Sequence, residues 1–86
     1  MNPVIGAYLE SADWVGVKSS NVARVAYLAD FAYLFVEFKN ASVYLYERVP
    51  AGVYQGLLAA PSKGQYVFYV LRGKGKDDVY PFRKVR

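Results

Sequence analysis

The fold is decided by residues 22–49, which read VARVAYLADFAYLFVEFKNASVYLYERV. Three runs rich in β-branched and aromatic residues, at residues 22–29, 33–39 and 43–49, are bounded by turn-type residues. Runs of this length and composition favour strands, and connections of about three residues favour hairpins. The stretch therefore predicts a three-stranded antiparallel meander.

A three-residue loop at residues 40–42 determines which side chains share a face of this meander. It would pair Phe38 with Tyr44 and Val36 with Tyr46, because side chains alternate between faces along a strand. The predicted core face then consists of Leu34, Val36, Phe38, Tyr44 and Tyr46. We set aside a tight two-residue Asn40–Ala41 turn, since it would place Ala41 at a positive φ, where glycine is strongly preferred.

The opposite face of the predicted meander is more apolar than a solvent-exposed face should be. It carries Val25, Tyr27, Phe35 and Leu45 together with Glu37 and Glu47. Large exposed apolar patches usually mark contacts, so this face should be covered. The simpler cover is the N-terminal segment around Tyr8 and Trp14 folding back, and the alternative is a second copy of the chain or another protein.

After Pro50 the pattern changes from a period of two to a helical one. A helix is predicted from Pro50 to about Ala60, with one face formed by Val53, Tyr54, Leu57 and Leu58. Ser62 can cap a second helix over residues 63–71, although residues 66–70 also have strong strand propensity.

The end of the chain could return to the sheet, since residues 79–85 have the composition of an edge strand that Pro81 limits. The predicted fold class is therefore α+β: a three-stranded antiparallel meander, then two short helices, then a C-terminal edge strand. Residues 1–86 form one predicted domain, with an N-terminal extension over residues 1–16 and a core over residues 17–85.

Cysteine and histidine are both absent from the chain. Their absence excludes disulfides, the commonest zinc ligands, the usual general base near neutral pH and the base of nearly every nucleophilic triad. No spacing among the remaining polar residues is typical of a site, so we expect no enzyme, no metal and no cofactor. No apolar run approaches the roughly 18 residues that span a bilayer, and the start lacks a secretory signal, so we expect no membrane association and a cytoplasmic protein.

The net charge of +4 is concentrated near the C-terminus. Between Arg72 and Arg86, six basic residues stand against Asp77 and Asp78, which leaves +4, so the preceding residues sum to zero. Such a segment suggests an acidic partner such as nucleic acid, although charged termini are more often only solvated.

Two further groups of residues have both a functional and a structural interpretation. Lys18, Ser19, Ser20 and Asn21 open the first predicted strand, where they could contact phosphate or ribose or could simply satisfy a turn. The Tyr44 and Tyr46 rings could stack on bases, or they could lie in the core beneath the first helix.

An ordered set of short segments resembles the KTSC domain. The segments are VKSSNV at 17–22, VEFKN at 36–40, YLY at 44–46, residues 49–54, APSKG at 60–64 and YPFRKV at 80–85. This family takes its name from the C-terminal end of some lysyl-tRNA synthetases and also occurs as small stand-alone proteins. Residues 1–16 and 73–78 lie outside its pattern, and Leu45 stands where a polar residue is common. The resemblance implies a binding module without a known activity, for which RNA binding is the usual suggestion.

Two functions remain as hypotheses. The first is association with RNA or another nucleic acid through a surface formed by Lys18, Ser19, Ser20, Asn21, Arg72, Lys74, Lys76, Arg83 and Lys84. The alternative is a protein-interaction or homodimeric domain that uses the face formed by Val25, Tyr27, Phe35 and Leu45.

Overall fold

Over the residues that the structure describes, the fold is an antiparallel sheet of five strands that follow chain order. The structure is a computed structural model, and it describes residue 7, residues 9–72 and residues 80–86. The strands are β1 (Val15–Gly16), β2 (Val22–Leu28), β3 (Tyr33–Phe38), β4 (Val43–Tyr46) and β5 (Phe82–Lys84). The α+β class and the central meander are confirmed, but the sheet is larger than predicted. Strand β1 comes from the predicted N-terminal extension, and β5 is the predicted edge strand.

The register of β2 against β3, together with a bulge at the start of β2, decides which side chains of β2 face the helices. The pairing with β3 shifts between Val22 and Arg24, and beyond the shift Val25 pairs with Val36 and Tyr27 with Leu34. Directly paired residues point to the same side, so Val25 and Tyr27 lie on the helix-covered face. The prediction that they share a face with Phe35 and Leu45 is wrong, because Leu28 pairs with Tyr33 and the connection therefore has four residues rather than three, which reverses the side of the β2 residues relative to β3. The bulge then returns Val22 to the helix-covered face.

The β3–β4 hairpin turns one residue earlier than predicted. The Phe38 N–H donates to the Ser42 carbonyl at 2.9 Å, and the Ala41 N–H donates to the Phe38 carbonyl at 2.9 Å. Val36 therefore pairs with Tyr44 rather than Tyr46. This shift of two residues keeps the predicted side chains on the core face, although it places Ala41 at a φ of 71°.

Two helices cover one face of the sheet. Helix α1 spans Ala51–Ala59, and helix α2 (Lys63–Tyr66) continues as a π-helical segment, Val67–Leu71. The Ser62 hydroxyl accepts a hydrogen bond from the Gln65 N–H at 3.3 Å, so the predicted cap is present and the segment is helical rather than extended. Leu57 of α1 is buried, but Leu58 is 36% exposed and does not join the predicted apolar face.

The main core lies between the helices and the sheet. Tyr27 connects the two layers, since its hydroxyl donates to the Val49 carbonyl at 2.6 Å and its ring stacks on Tyr54 at 4.9 Å between centroids. The buried residues of this core are Val22, Val25, Leu34, Val36, Tyr46, Val49, Leu57, Val67 and Leu71.

The N-terminal segment covers the other face of the sheet, which confirms the simpler of the two predictions. Leu9, Ala12 and Trp14 pack against a second cluster that contains Phe35 and Leu45. The Trp14 indole N–H donates to the Leu9 carbonyl at 3.1 Å, and its ring lies 6.3 Å from that of Phe35. Tyr8 lies outside the described residues. Val25, Phe35 and Leu45 are 0% exposed, so the predicted interface is not a surface of this domain.

Burial of Tyr46 predicts a specific loss of stability at high pH. Desolvation raises the pKa of its hydroxyl from 10.0 to about 12, although the nearby Arg72 charge opposes the shift. Because the folded state holds this proton more tightly than the unfolded state, stability is complete below pH 10.0 and falls as the pH approaches 12. The expected loss is about 2–3 kcal/mol of unfolding free energy, measured by urea denaturation along a pH series. Tyr46→Phe should remove this part of the decline, and an unchanged slope in that variant would contradict the assignment.

Candidate functional site

The two ends of the sheet carry opposite charge. Strand order and direction bring the loop before β2, the β3–β4 turn and the end of β5 to one end, because antiparallel neighbours alternate in direction. We call this end, formed by residues 17–21, 38–42 and 84–86, the hairpin end. It carries Lys18, Lys39 and Lys84, whereas the opposite end carries Asp13, Asp30 and Glu47 with Arg48.

Glu37 is the acidic side chain nearest to the hairpin end among the described residues, and it is already paired. Its carboxylate oxygen Oε1 lies 2.9 Å from a nitrogen of Arg24 and 3.1 Å from a nitrogen of Arg86. The Arg24 guanidinium also lies 4.3 Å from the centre of the Trp14 ring. This carboxylate is therefore shared by two cations and does not compensate the three lysines of the hairpin end.

A cleft of about 370 Å³ opens at the hairpin end. The loop before β2, the β3–β4 turn and the start of α2 form its walls, and it is lined by Ser20, Asn21, Phe38, Lys39, Asn40 and Gly64. Lys39 is the charged residue of this lining. The Phe38 ring is held edge-to-face by Tyr44, at 5.8 Å between centroids and an interplanar angle of 85°.

Hydrogen bonds fix the backbone around this cleft. The Ser19 hydroxyl accepts from the N–H groups of Asn21 at 3.2 Å and Val22 at 3.1 Å. The Lys39 N–H donates to the Asn21 carbonyl at 2.8 Å, which ties the two walls together. The Asn40 side-chain oxygen accepts from the Ser42 N–H at 3.0 Å. Ser19 thus has the turn-forming role, while Ser20, Asn21 and Lys39 line the open cleft.

The structure divides the surface predicted from the sequence. Lys18, Ser20 and Asn21 lie at the hairpin end, as does Lys84, which pairs with Tyr44 on the helix-covered side of the sheet. Ser19 also lies at the hairpin end, but its hydroxyl is used in the turn. Arg83 lies opposite Leu45 on the other face of the sheet, and the Arg72 guanidinium lies 4.8 Å from the Phe82 ring. Lys74 and Lys76 fall outside the described residues.

Sequence reasoning missed the contribution of the β3–β4 turn. Phe38 packs against the main core, as predicted, but it also lines the cleft. The sequence pattern places Lys39 at the end of a strand and Asn40 in the following loop, and it does not indicate a site at either residue. The base-stacking interpretation is wrong for Tyr46, which is 1% exposed. Tyr44 is partly buried and lies between the rings of Phe38 and Phe82.

Two other clefts differ chemically from the one at the hairpin end. A cleft of about 410 Å³ at the opposite end is lined by Ser11, Tyr27, Leu28, Ala29, Asp30 and Phe31, so its one charged residue is acidic. A cleft of about 280 Å³ beside α2 is lined by Ala60, Pro61, Ser62, Gln65, Tyr66, Tyr69 and Val70, none of them charged. Of these three clefts, the cleft at the hairpin end is the one whose lining includes a cation, Lys39.

The described part of the chain holds neither a cluster of metal-ligating side chains nor a helix that could cross a membrane. Its acidic side chains form no group of three or more that could hold a metal ion. None of its helices has both the length and the apolar character needed to cross a membrane.

The architecture defines a class of small α+β domains in which helices and an N-terminal segment cover a meandering antiparallel sheet. The model of the KTSC domain family matches residues 18–74, which is more than half of the chain. The chain therefore belongs to the KTSC domain family, and the resemblance noted in its sequence is confirmed.

Two similar proteins extend this assignment. An uncharacterized protein of Stutzerimonas stutzeri (strain A1501) is 36% identical over 58 residues, which cover 67% of this chain and 82% of that protein. The crystal structure of a KTSC domain protein from Yersinia pestis matches with a TM-score of 0.76 and 28% identity, over 88% of this chain and 100% of that one. The structural match supports both the family and the fold, and neither comparison states a biochemical role.

Proposed function

We propose that this domain is a non-enzymatic binding module that holds nucleic acid, and RNA in particular, at the hairpin end. The observation that carries the proposal is the separation of Lys18, Lys39 and Lys84 from the acidic side chains among the described residues, apart from the paired Glu37. No ion pair joins these lysines to another described residue, whereas Glu37 is held by two arginines. Lysines that pair with no described residue are available to neutralise phosphates, whose contacts provide most of the sequence-independent affinity for nucleic acid.

The arrangement of strands gives these lysines a useful spacing. Lys39 follows β3 and Lys84 ends β5, with β4 between them. Neighbouring strands lie about 4.8 Å apart, so the backbones that carry the two lysines are roughly 10 Å apart across the sheet. A nucleic-acid strand that crosses the end of the sheet can therefore place separate phosphates against each lysine, with Lys18 contributing from the loop before β2.

The proposal can be tested with a charge-neutralising variant, Lys18→Gln/Lys39→Gln/Lys84→Gln. Fluorescence anisotropy should be measured with labelled single-stranded RNA, single-stranded DNA and duplex DNA over a series of salt concentrations. We expect the affinity at low salt to fall at least tenfold, and the slope of log affinity against log salt to become shallower by about 2, since each single-strand phosphate contact contributes roughly 0.7.

Arg48→Gln provides the matched control, because it removes a positive charge from an exposed position at the opposite end of the sheet. It should change affinity only slightly. Equal losses in this control and in the lysine variant would show a general charge effect and no binding surface at the hairpin end. Failure of all three nucleic acids to bind even at low salt would overturn the proposal and leave a protein partner as the next class of function to test.

A further inference from the structure

The cleft at the hairpin end has the dimensions and chemistry of a nucleotide site. We infer that it takes a single nucleotide whose base is unpaired, with the base against Phe38 and the phosphate at Lys39. The inference rests on the proposed function and makes it more specific, since phosphate contacts by surface lysines alone would not distinguish a single strand from a duplex.

The first argument is the shape and size of the cleft. Its volume of about 370 Å³ lies at the small end of the range for ligand pockets, and three separate segments of the chain wall it. A single base with its sugar is an occupant of this scale. A duplex presents its bases stacked and paired, so none of them could enter without being extruded.

The second argument is the aromatic wall. Phe38 is partly buried at the end of β3, and its edge-to-face contact with Tyr44 restricts the ring. A restricted ring is a suitable stacking surface, because little conformational freedom is lost when a base packs on it. Stacking on aromatic side chains is the usual way in which proteins hold unpaired bases, and it tolerates any base.

The third argument is the polar lining. The Asn21 carboxamide offers a donor and an acceptor, and the Ser20 hydroxyl offers both as well. These groups suit a base edge or a ribose hydroxyl, while Lys39 suits a phosphate. No carboxylate belongs to the lining, so nothing in it repels the phosphate. An aromatic wall, a carboxamide and a lysine around one cleft thus match the three parts of a nucleotide.

Gly64 provides a test that leaves the charge unchanged. A Cβ atom at this position would lie 3.0 Å from the Asn21 side-chain nitrogen, so Gly64→Ala makes the carboxamide shift by a few tenths of an ångström at the wall of the cleft. Gly52→Ala is the matched control, because a Cβ there meets nothing within 4 Å. Asn21→Ser is a second variant, which shortens the polar group without adding volume near α2.

The experiment is a titration of the ¹⁵N-labelled protein followed by ¹H–¹⁵N correlation spectra, with three probes: a short oligouridylate, uridine 5′-monophosphate and a blunt RNA duplex. The inference predicts shifts of the Asn21 and Asn40 side-chain amides, tighter binding of the oligouridylate than of the duplex, and roughly tenfold weaker oligouridylate binding in Gly64→Ala and Asn21→Ser. Gly52→Ala should bind like the unmodified protein.

The outcomes separate this inference from the proposed function. If the duplex binds as tightly as the oligouridylate and the Asn21 amide does not shift, the lysine surface stands and the nucleotide site is overturned. If the monophosphate binds as tightly as the oligouridylate and shifts the same amides, the site stands with a free nucleotide as its ligand, and the nucleic-acid proposal fails. Absence of binding by all three probes overturns both.

Discussion

Replacing Phe35 with alanine should lower the free energy of unfolding by about 3–5 kcal/mol, the usual cost of removing a buried aromatic ring. Phe35 is 0% exposed and lies between the sheet and the N-terminal segment. Its ring is 6.3 Å from that of Trp14 and makes an edge contact with Tyr33 at 6.4 Å. Removing the Phe35 ring would therefore leave a cavity between the sheet and the N-terminal segment. Urea denaturation followed by circular dichroism measures the change.

Phe68→Ala is the control for the Phe35 prediction, since the same atoms are removed from a ring that is 45% exposed. Its expected cost is below about 1 kcal/mol. Both values should be independent of protein concentration if the N-terminal segment of the same chain covers this face. A Phe35→Ala cost no larger than that of Phe68→Ala would show that Phe35 is not buried beneath the N-terminal segment. Stability that depends on protein concentration would show instead that a second copy covers this face.

The meander and the first helix could be predicted because their patterns are local. Runs rich in β-branched and aromatic residues predict the strands within residues 33–46, and a helical period begins at Pro50. The bulge at residues 22–24 could not be found in this way, since a single inserted residue leaves the composition of the strand unchanged. Strand β1, with two residues, is too short to give a pattern. Each of these features depends on pairing with a neighbouring strand.

The turn at Ala41 shows tertiary context overriding a local preference. Positive φ disfavours alanine, and this argument correctly set aside a two-residue Asn40–Ala41 turn. The three-residue loop lies one residue earlier than predicted, however, and it also holds Ala41 at a φ of 71°. The turn nevertheless forms, because the Asn40 carboxamide and the Phe38 backbone satisfy the surrounding N–H groups and the paired strands fix the register. These hydrogen bonds and the strand pairing of the hairpin offset the cost of the positive φ at Ala41.

About half of the candidate site could be predicted from the sequence. The predicted surface includes Lys18, Ser20 and Asn21, because these polar residues open the first predicted strand. The other half, Phe38 and Lys39, joins them only because the chain returns from β3 beside the loop before β2. Gly64 joins from a third segment, and no spacing in the sequence indicates that it lies against Asn21. Sites built from three separated segments are therefore defined by the fold.

Gly56→Ala should destabilise the domain by about 1–3 kcal/mol, the range for overpacking a tight contact. A helix-interior alanine would otherwise favour the folded state by about 1 kcal/mol relative to glycine. Gly56→Ala instead lowers the free energy of unfolding, because helix α2 packs directly on α1 at this position. A Cβ on Gly56 would lie 3.1 Å from Cζ and 3.3 Å from Cε2 of Tyr66. The ring cannot move away freely, since its hydroxyl donates to the Val53 carbonyl at 2.9 Å.

Gly52→Ala in the same helix distinguishes packing from helix propensity. A Cβ there meets nothing within 4 Å, so this variant should gain up to about 1 kcal/mol in urea denaturation. In a Tyr66→Leu background the cost of Gly56→Ala should largely disappear, because the ring that it displaces is gone. Equal stabilisation by the two alanine variants would show that α2 does not rest on α1 as described. Destabilisation by Gly56→Ala together with stabilisation by Gly52→Ala would show that the close approach of α1 and α2 requires glycine at residue 56. The same approach positions Gly64, at the start of α2, beside the cleft.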